Sequence, residues 1–293
     1  MKTLCLLAIA YPSFGEHYSG SYPVPGQTKL YLPDTTLLVN SYIDSGASTR
    51  VFSGVQMEKK ASSMPTEVAI KCIYSRDGHL QKKIEHEFSV LKALNHHSDL
   101  RIPRAYYVSN QWSCGGSHKC QFLVMTKAGP DFSRVVTKNP LGLANASQKS
   151  RPGQFELFVA SVGLCVVTEL EKLHEAGAVH GDIGRYNVAN DLNDPQHVML
   201  IDFGQGKLKS ELSGGEFSRR VERDFRRTNA FILRLIKTKI NIDNGSTSDK
   251  SFRANPLYSL VESIENNQKD LKIKLTDFIK REFGISFSGK IIF

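Results

Sequence analysis

Two short segments in the second half of the chain constrain its fold more than any other feature. The first, at 180–187, reads His-Gly-Asp-Ile-Gly-Arg-Tyr-Asn, and the second, at 200–204, reads Leu-Ile-Asp-Phe-Gly. Asp182 can accept a proton from a hydroxyl group. Asn187 and Asp202 carry the oxygen ligands that a divalent cation such as Mg²⁺ prefers. Because only one strand–turn–strand length separates the segments, we expect the three side chains to share a site.

This pair of segments resembles the catalytic loop and the metal-binding loop of the protein-kinase-like superfamily, in the variant with Gly after the His. The resemblance implies an α+β, bilobal fold with a small antiparallel β N-lobe that carries one helix, and a shortened, mainly helical C-lobe. It also implies an ATP-dependent phosphotransferase in which Asp182 is the base and Asn187 and Asp202 hold Mg²⁺. The predicted boundaries are an N-terminal extension at 1–35, an N-lobe ending in the hinge at 36–128, and a C-lobe at 129–293.

A predicted ion pair lies upstream of these segments. Val68-Ala69-Ile70-Lys71 resembles the third strand of a kinase N-lobe, whose lysine contacts the α and β phosphates of ATP. The segment after it has apolar residues at the spacing of a one-sided helix, namely Ile84, Phe88 and Leu91. Glu87 lies beside this stripe and is the predicted partner of Lys71. Glu85 is the competing candidate, although it lies about 60° farther from the stripe.

The resemblance further implies a set of nucleotide contacts. The segment 43–52 resembles a degraded phosphate-covering hairpin in which Gly46 is the one retained glycine, the residue that allows a backbone to approach phosphates closely. Residues 122–130 read as a buried strand and a Gly-Pro turn, similar to the kinase hinge, with Met125 as gatekeeper. The predicted ATP contacts are Gly46, Val51, Ala69, Lys71, Met125, Lys127 and Ala128.

Three departures from ordinary protein kinases define a subclass. Gly181 replaces the Arg that reads a phosphate on the activation loop, which argues against that form of regulation. No proline occurs between Pro195 and Pro256, so an Ala-Pro-Glu motif is absent and the activation segment is very short. Gly184 replaces the lysine that neutralises the transferring phosphoryl group, and Arg185 is the predicted substitute. Compact His-Gly-Asp kinases, such as the tRNA-modification-complex kinase and fungal kinase-like proteins, share this arrangement.

Helices dominate the predicted C-lobe. A helix at about 155–174 is apolar nearly all round, which is typical of a buried helix. A second helix, from Glu216 to about Leu235, is two-faced, and two short amphipathic helices follow around 257–264 and 271–279. In the family an Asp on the second helix anchors the catalytic loop, and Asp224 is the match. The predicted basic face of that helix consists of Arg219, Arg220, Arg223, Arg226 and Arg227.

Charge narrows the possible partners. The chain has a formal net charge of +9, and residues 205–293 contain 18 Lys and Arg against 11 Asp and Glu. A basic lobe disfavours polycationic substrates such as aminoglycosides and favours an acidic protein, a phosphorylated molecule or RNA. The alternative is that the arginine face is simply solvated.

The N-terminus and the cysteines bear on the cellular compartment. Five cysteines without a regular spacing fit reduced thiols in a cytoplasmic protein. The segment around Cys114 and Cys120 fits a hairpin better than a metal loop, because a fourth ligand is missing. Residues 2–10 have the outline of a short secretory signal that Tyr11-Pro12 interrupts, and we expect an N-terminal strand of the small lobe there, with the signal as the alternative. No apolar run is long enough to span a bilayer.

Three functions remain open from the sequence. The first is a Ser/Thr-type protein kinase that acts on a protein hydroxyl. The second is a kinase-fold enzyme that acts on a small molecule or a lipid, which the missing peptide-docking segment favours. The third is a pseudokinase that serves as a binding module, which Gly184 and the reduced glycine loop favour.

Overall fold

The structure, a computed structural model, describes residues 29–31, 35–45, 49–58, 65–75, 78–110, 112–113, 119–138, 153–244, 252–264 and 268–292. Several sequence-based predictions fall outside these ranges: the glycine at position 46, the signal-like segment 2–10 and the cysteines at positions 5 and 114. The described residues divide into two compact units. The first contains the residues up to Lys92 together with Arg104–Lys127, and the second contains Ala93–Pro103 and the residues from Ala128 onward.

The first unit is an antiparallel sheet with one helix. Its strands are β1 (Lys29–Tyr31), β2 (Thr35–Ser45), β3 (Thr49–Glu58), β4 (Thr66–Ser75), β5 (Ala105–Val108), β6 (Trp112–Ser113) and β7 (Lys119–Thr126). They pair in the order β1-β2-β3-β4-β7-β5, with β6 also on β7. Helix α1 (Gly78–Leu94) follows β4. Among the described residues this unit matches the predicted antiparallel β lobe with one helix.

The alternation of side chains along β4 explains how this unit is built. Val68, Ile70 and Cys72 project to one face of the sheet, because successive residues of a strand point to opposite faces. They pack in a buried cluster with residues of β2, β3 and β7, namely Leu37, Val39, Phe52, Phe122 and Val124. Ala69 and Lys71 project to the other face. The same strand therefore builds a hydrophobic core and presents a lysine away from it.

The second unit is mainly helical. Its helices are α2 (Phe132–Lys138), α3 (Gln154–Glu175), α4 (Gly214–Asn244), α5 (Pro256–Glu262) and α6 (Gln268–Phe283). Short strands β8 (Ala178–Val179), β9 (Val188–Asn190), β10 (Val198–Leu200) and β11 (Lys207–Leu208) form two antiparallel pairs, β9 with β10 and β8 with β11. All four predicted helices are present. Helix α4 runs beyond its predicted end at Leu235, since Ile236 extends its buried face and no Gly or Pro occurs before position 245.

Helix α3 is the centre of this unit's core. It is buried on all sides, as its sequence predicts, and it packs against α4 and α6. The approach to α4 is close at Gly163, where an added Cβ would lie 2.7 Å from Cδ1 of Ile232. Glycine at this position therefore sets the distance between the two helices.

The cysteines differ from the sequence-based prediction at one position. Cys72 and Cys165 are free and buried, as expected. Cys120 is in a disulfide. The expectation that all five thiols are reduced is therefore wrong in this structure, because a cysteine at the edge of a hairpin can meet a second one without any regular spacing in the sequence.

Among the helices that the structure describes, none combines the length and the hydrophobicity that a membrane span requires.

Candidate active site

Lys71 and Glu87 form a buried ion pair in the first unit. Nζ of Lys71 donates to Oε2 of Glu87 at 2.7 Å, and only 8% and 1% of the two residues is exposed. Helix α1 buries Ile84 and Leu91 on the same side, as the apolar stripe predicts. The predicted pairing is confirmed. Because burial removes both charges from water, each is compensated by the other. Losing either partner would therefore leave an uncompensated buried charge.

Glu85, the competing candidate, has a different partner. Its side chain is exposed, and Oε1 accepts a hydrogen bond from Nε2 of Gln121 at 3.0 Å. Two residues along a helix correspond to a rotation of about 200°, so Glu85 and Glu87 must face nearly opposite directions. The helical period therefore selects Glu87.

The register of the sheet places the other predicted nucleotide contacts of the first unit. Val51 on β3 lies opposite Lys71, and Ala69 on β4 lies opposite Met125 on β7. Ala69 and Met125 are buried. The side chain of Lys127 turns to the surface, where Nζ contacts Glu67 at 3.0 Å. The resemblance implies that Lys127 contacts the nucleotide through its backbone, a role that does not require its paired side chain.

Ala128 begins the second unit and leads into the Gly-Pro turn. The amide of Gly129 donates to the carbonyl of Asn190 at 2.8 Å, and the amide of Asn190 donates to the carbonyl of Pro130 at 3.0 Å. A Cβ at Gly129 would lie 2.8 Å from that same Asn190 carbonyl oxygen. Glycine is therefore needed where the chain that follows the predicted hinge meets β9.

The segment 180–187 connects β8 to β9, and two of its polar residues bond to each other. Asn187 donates from Nδ2 to the backbone carbonyl of Asp182 at 2.8 Å and to Oδ2 of the Asp182 carboxylate at 3.2 Å. The amide of Ile201 donates to the carbonyl of Asn187 at 2.9 Å. This bond ties the loop to the second segment, in which Asp202 is the next residue. The structure thus brings the predicted base and both predicted metal ligands onto two bonded loops.

His180 is a fixed, neutral link between these loops. Its ring is fully buried; Nδ1 accepts from the amide of Asp182 at 3.2 Å, so Nε2 carries the proton that it donates to the carbonyl of Ile201 at 3.0 Å. Burial lowers the pKa of His180, while the carboxylates of Asp224, Asp202 and Asp182 act in the opposite direction. The uncharged ring can therefore satisfy both bonds at neutral pH.

Asp224 anchors the loop from below, as predicted. The residue is fully buried on α4, and its two carboxylate oxygens accept the backbone amides of His180 at 2.9 Å and Gly181 at 2.8 Å. His174 at the end of α3 is a third partner, at 3.1 Å. A carboxylate that receives several hydrogen bonds is well compensated for its burial.

Position 181 requires glycine for a conformational reason that the sequence pattern did not reveal. Its φ is +78°, in the left-handed region that favours glycine. A Cβ there would also lie 2.6 Å from the carbonyl oxygen of Gln205. The Gly of the His-Gly-Asp triplet is therefore required by the path of the backbone.

Asp202 has the backbone strain that often marks functional residues. Among the described residues other than glycine it alone has a positive φ, of 64°. Its Oδ1 accepts from the amide of Gly204 at 3.3 Å. The Asp202 carboxylate and Oδ1 of Asn187 are both oxygen donors, the type that fits Mg²⁺, an ion that uses one or two carboxylates together with phosphates. Within the described residues no cluster of three His, Cys, Asp or Glu side chains could hold a metal unaided.

Arg185 and Arg227 differ in their contacts with Asp182. The guanidinium of Arg185 lies 4.5 Å from the ring centre of Tyr186, and its Nε is buried without a hydrogen-bond partner among the described residues. It makes no hydrogen bond to Asp182. Arg227, predicted to lie on the outer face of α4, instead donates from Nη1 to Oδ1 of Asp182. The role of Arg185 stays a prediction.

The remaining arginines of α4 also divide into two groups. Arg220 pairs with Glu216 one turn earlier, at 2.9–3.0 Å. Arg219, Arg223 and Arg226 are exposed and make no ion pair with any described carboxylate. Arg220 and Arg227 lie about 80–100° round the helix from Arg219, so helical geometry separates them from the exposed row. The sequence could have shown this separation, because it follows from the residue numbers.

The chain has the protein-kinase fold. It matches the structure of vaccinia related kinase 3 with a TM-score of 0.53 and 14% identity, over 90% of this chain and 93% of that one. The BubR1 kinase domain matches with a TM-score of 0.54 and 14% identity, over 89% and 85%. At such identities the likeness concerns the fold alone.

Sequence comparison gives shorter matches. The B1 kinases of vaccinia virus (strain Western Reserve) and monkeypox virus are each 28% identical to this chain over 96 residues, which is 33% of this chain. The match spans only 28% and 27% of the length of these relatives. No protein-family profile matches the chain.

Proposed function

We propose that this protein is an ATP-dependent phosphotransferase of the Ser/Thr protein-kinase type. The observation that carries the proposal is the arrangement of Asp182, Asn187 and Asp202 on two bonded loops, held from below by the buried Asp224. The kinase fold and the short match to the B1 kinases support a phosphotransferase in general. The acceptor and the roles of individual residues are part of the proposal.

Each polar residue would have a distinct role in the reaction. Asp182 would accept the proton of the acceptor hydroxyl as that oxygen bonds to the γ-phosphorus and the phosphorus–oxygen bond to ADP breaks. Lys71, oriented by Glu87, would contact the α and β phosphates. Asn187 and Asp202 would hold Mg²⁺, which neutralises phosphate charge when it is bound. Because the loops are fixed in advance, positioning and charge account for most of the catalysis.

The experiment that tests the proposal is transfer of labelled γ-phosphate from ATP in the presence of Mg²⁺. Wild type, Lys71→Ala and Asp182→Ala are compared, and label is followed on the protein itself and on added acceptors. We expect transfer by the wild type and its loss in both variants, with each variant's fold checked by circular dichroism. Transfer at the same rate in all three proteins would contradict the proposal.

A small-molecule or lipid acceptor is the second candidate. It is favoured by the short connection after Asp202, where α4 begins already at Gly214 and leaves little chain for docking a peptide. An acidic protein and a panel of small hydroxyl compounds and lipids, offered separately with labelled ATP, distinguish the two acceptor classes. Label that enters only the small compounds would replace the protein-kinase assignment.

A binding module without catalysis is the third candidate. The contact of Arg227 with Asp182 and the absence of a side chain at Gly184 favour it. The Lys71–Glu87 pair and the loops that bear Asn187 and Asp202 oppose it. Calorimetric titration with ATP distinguishes the cases: binding with Mg²⁺ but no transfer to any acceptor would indicate this third function.

We also propose that an anionic partner binds the exposed arginine row, defined as Arg219, Arg223 and Arg226. Three exposed guanidinium groups on successive turns of one helix make a local positive potential that attracts acidic or phosphorylated chains. Charge reversal of all three to Glu should abolish binding of a phosphorylated acidic peptide that wild type binds in low salt. Equal binding by both proteins would leave the row as a solvated surface.

A cytoplasmic location is proposed from the ATP chemistry, and secretion is the alternative. The disulfide at Cys120 favours an oxidising compartment. Thiol alkylation of protein taken directly from its native cells, followed by intact-mass analysis, decides the point. A free thiol at Cys120 supports the cytoplasm, and a blocked one supports secretion.

A further inference from the structure

The carboxylate of Asp182 is held by two donors from different elements. Nη1 of Arg227 on α4 donates to Oδ1. Nδ2 of Asn187 in the loop itself donates to Oδ2 at 3.2 Å. Each oxygen therefore has one donor, so the plane of the carboxylate is fixed from both sides.

Helix α4 places Arg227 firmly relative to that loop. Asp224 accepts the amides of His180 and Gly181, and Arg227 follows it by three residues, on the next turn of the helix. The hydroxyl group of Thr228 also donates a hydrogen bond to the carbonyl of Asp224 at 3.0 Å. The same stretch of α4 thus contacts the backbone of the loop through Asp224 and its reactive side chain through Arg227.

We propose, on the basis of the phosphotransferase function above, that Arg227 is the positioning cation of the reaction. It orients the Asp182 carboxylate toward the acceptor hydroxyl and keeps a positive charge beside the phosphoryl group during transfer. A fixed cation next to a site where negative charge moves costs no reorganisation at the moment of reaction. Arginine suits this role because its planar guanidinium stays charged and matches a carboxylate.

Gly184 and Arg185, the two residues that the sequence places nearest to this role, do not make the same contact. Gly184 has no side chain, and an added Cβ there would meet no described atom within 4 Å. The guanidinium of Arg185 stacks near Tyr186 and does not bond to Asp182. Of the two arginines, only the one from α4 reaches the carboxylate.

The pair remains open enough for chemistry. The side chains of Asp182 and Arg227 are 46% and 30% exposed, respectively. A hydroxyl group can therefore approach the carboxylate while the arginine stays in place. Because exposed ion pairs contribute little to folding, loss of Arg227 should change catalysis and leave stability nearly unaltered.

The test uses the full chain with ATP and Mg²⁺ and compares wild type, Arg227→Ala, Arg227→Lys and Arg185→Ala. The matched control is Arg234→Ala, since Arg234 is an exposed arginine two turns farther along α4. For Arg227→Ala we expect kcat to fall about 100-fold while KM for ATP changes less than about threefold, as for loss of a group that acts in the transition state. Arg227→Lys should recover part of that loss, and Arg234→Ala should match wild type.

Chemical rescue separates a role in the reaction from a role in folding. Guanidinium added well below the molar concentrations that unfold proteins should raise the kcat of Arg227→Ala about tenfold and leave wild type unchanged. A loss that neither the lysine variant nor guanidinium recovers indicates a structural role and overturns the inference.

Two further outcomes separate this inference from the proposed function. Full activity in Arg227→Ala, with or without a loss in Arg185→Ala, overturns the inference and leaves the phosphotransferase function standing. A wild-type protein that transfers no phosphate to any acceptor overturns both.

Discussion

At the scale of single residues, two glycines of the candidate catalytic loop differ in how strongly the backbone requires glycine. Gly181 combines a φ of +78° with a Gln205 carbonyl 2.6 Å from an added Cβ, whereas Gly184 has open space around it. We expect Gly181→Ala to lower the free energy of unfolding by about 1–3 kcal/mol, because alanine is strained at positive φ. Gly184→Ala, the matched control, should change it by less than about 1 kcal/mol. Urea denaturation of both variants measures the difference, and equal effects would contradict this account of the loop.

His180 predicts a pH dependence of stability. Burial lowers its pKa from the usual value of 6.5, so below that pH the unfolded chain binds a proton that the folded protein does not. The stabilisation is therefore complete above about pH 6.5 and is lost as pH falls, by at most about 1.4 kcal/mol per pH unit. The free energy of unfolding, measured from pH 7.5 to 5.5, should fall more steeply for wild type than for His180→Gln. Parallel curves for the two proteins would contradict the burial of a neutral ring.

At the scale of elements, α4 connects the core of the second unit to the candidate active site. One side packs on α3, and the adjoining side carries Asp224 and Arg227, which contact the catalytic loop. A shift of α4 would therefore move two contacts of the loop at once. We therefore expect the spacing of α3 and α4 to affect the proposed activity as well as the stability of the fold.

The contact at Gly163 tests this spacing. Gly163→Ala adds a Cβ 2.7 Å from Cδ1 of Ile232, and overpacking of this kind costs about 1–3 kcal/mol, more than the helix propensity gained. Ile232→Val removes this nearest atom, while Cγ1 of the same side chain and Cδ1 of Leu275 stay at 3.2 Å. In a double-mutant cycle we expect Gly163→Ala to be clearly less destabilising in the Ile232→Val background than in wild type. Additive effects within about 0.3 kcal/mol would show that the helices are not in close contact at this point.

At the scale of the whole molecule, the features that could be predicted from the sequence are those that depend on a local sequence pattern. The helical period selects Glu87 over Glu85, and the motif around Asp182 predicts the fold and the anchoring Asp224. Arg227 was missed because its contact joins residues 45 positions apart, and its place on the arginine-rich side of α4 suggested a solvated side chain. The need for Gly181 was missed for a similar reason, since it depends on the carbonyl of Gln205 in another loop.

The central claim is that Asp182 takes part in phosphoryl transfer, and its direct test is the rate of γ-phosphate transfer by Asp182→Asn. The amide keeps the shape of the side chain but cannot accept the proton. Asp194→Asn serves as the matched control, because Asp194 lies in the same unit and pairs with Arg101 and His197 instead. With ATP and Mg²⁺ we expect Asp182→Asn to be slower than wild type by about 100-fold or more, and Asp194→Asn to remain active. Equal rates for wild type and Asp182→Asn would contradict the account.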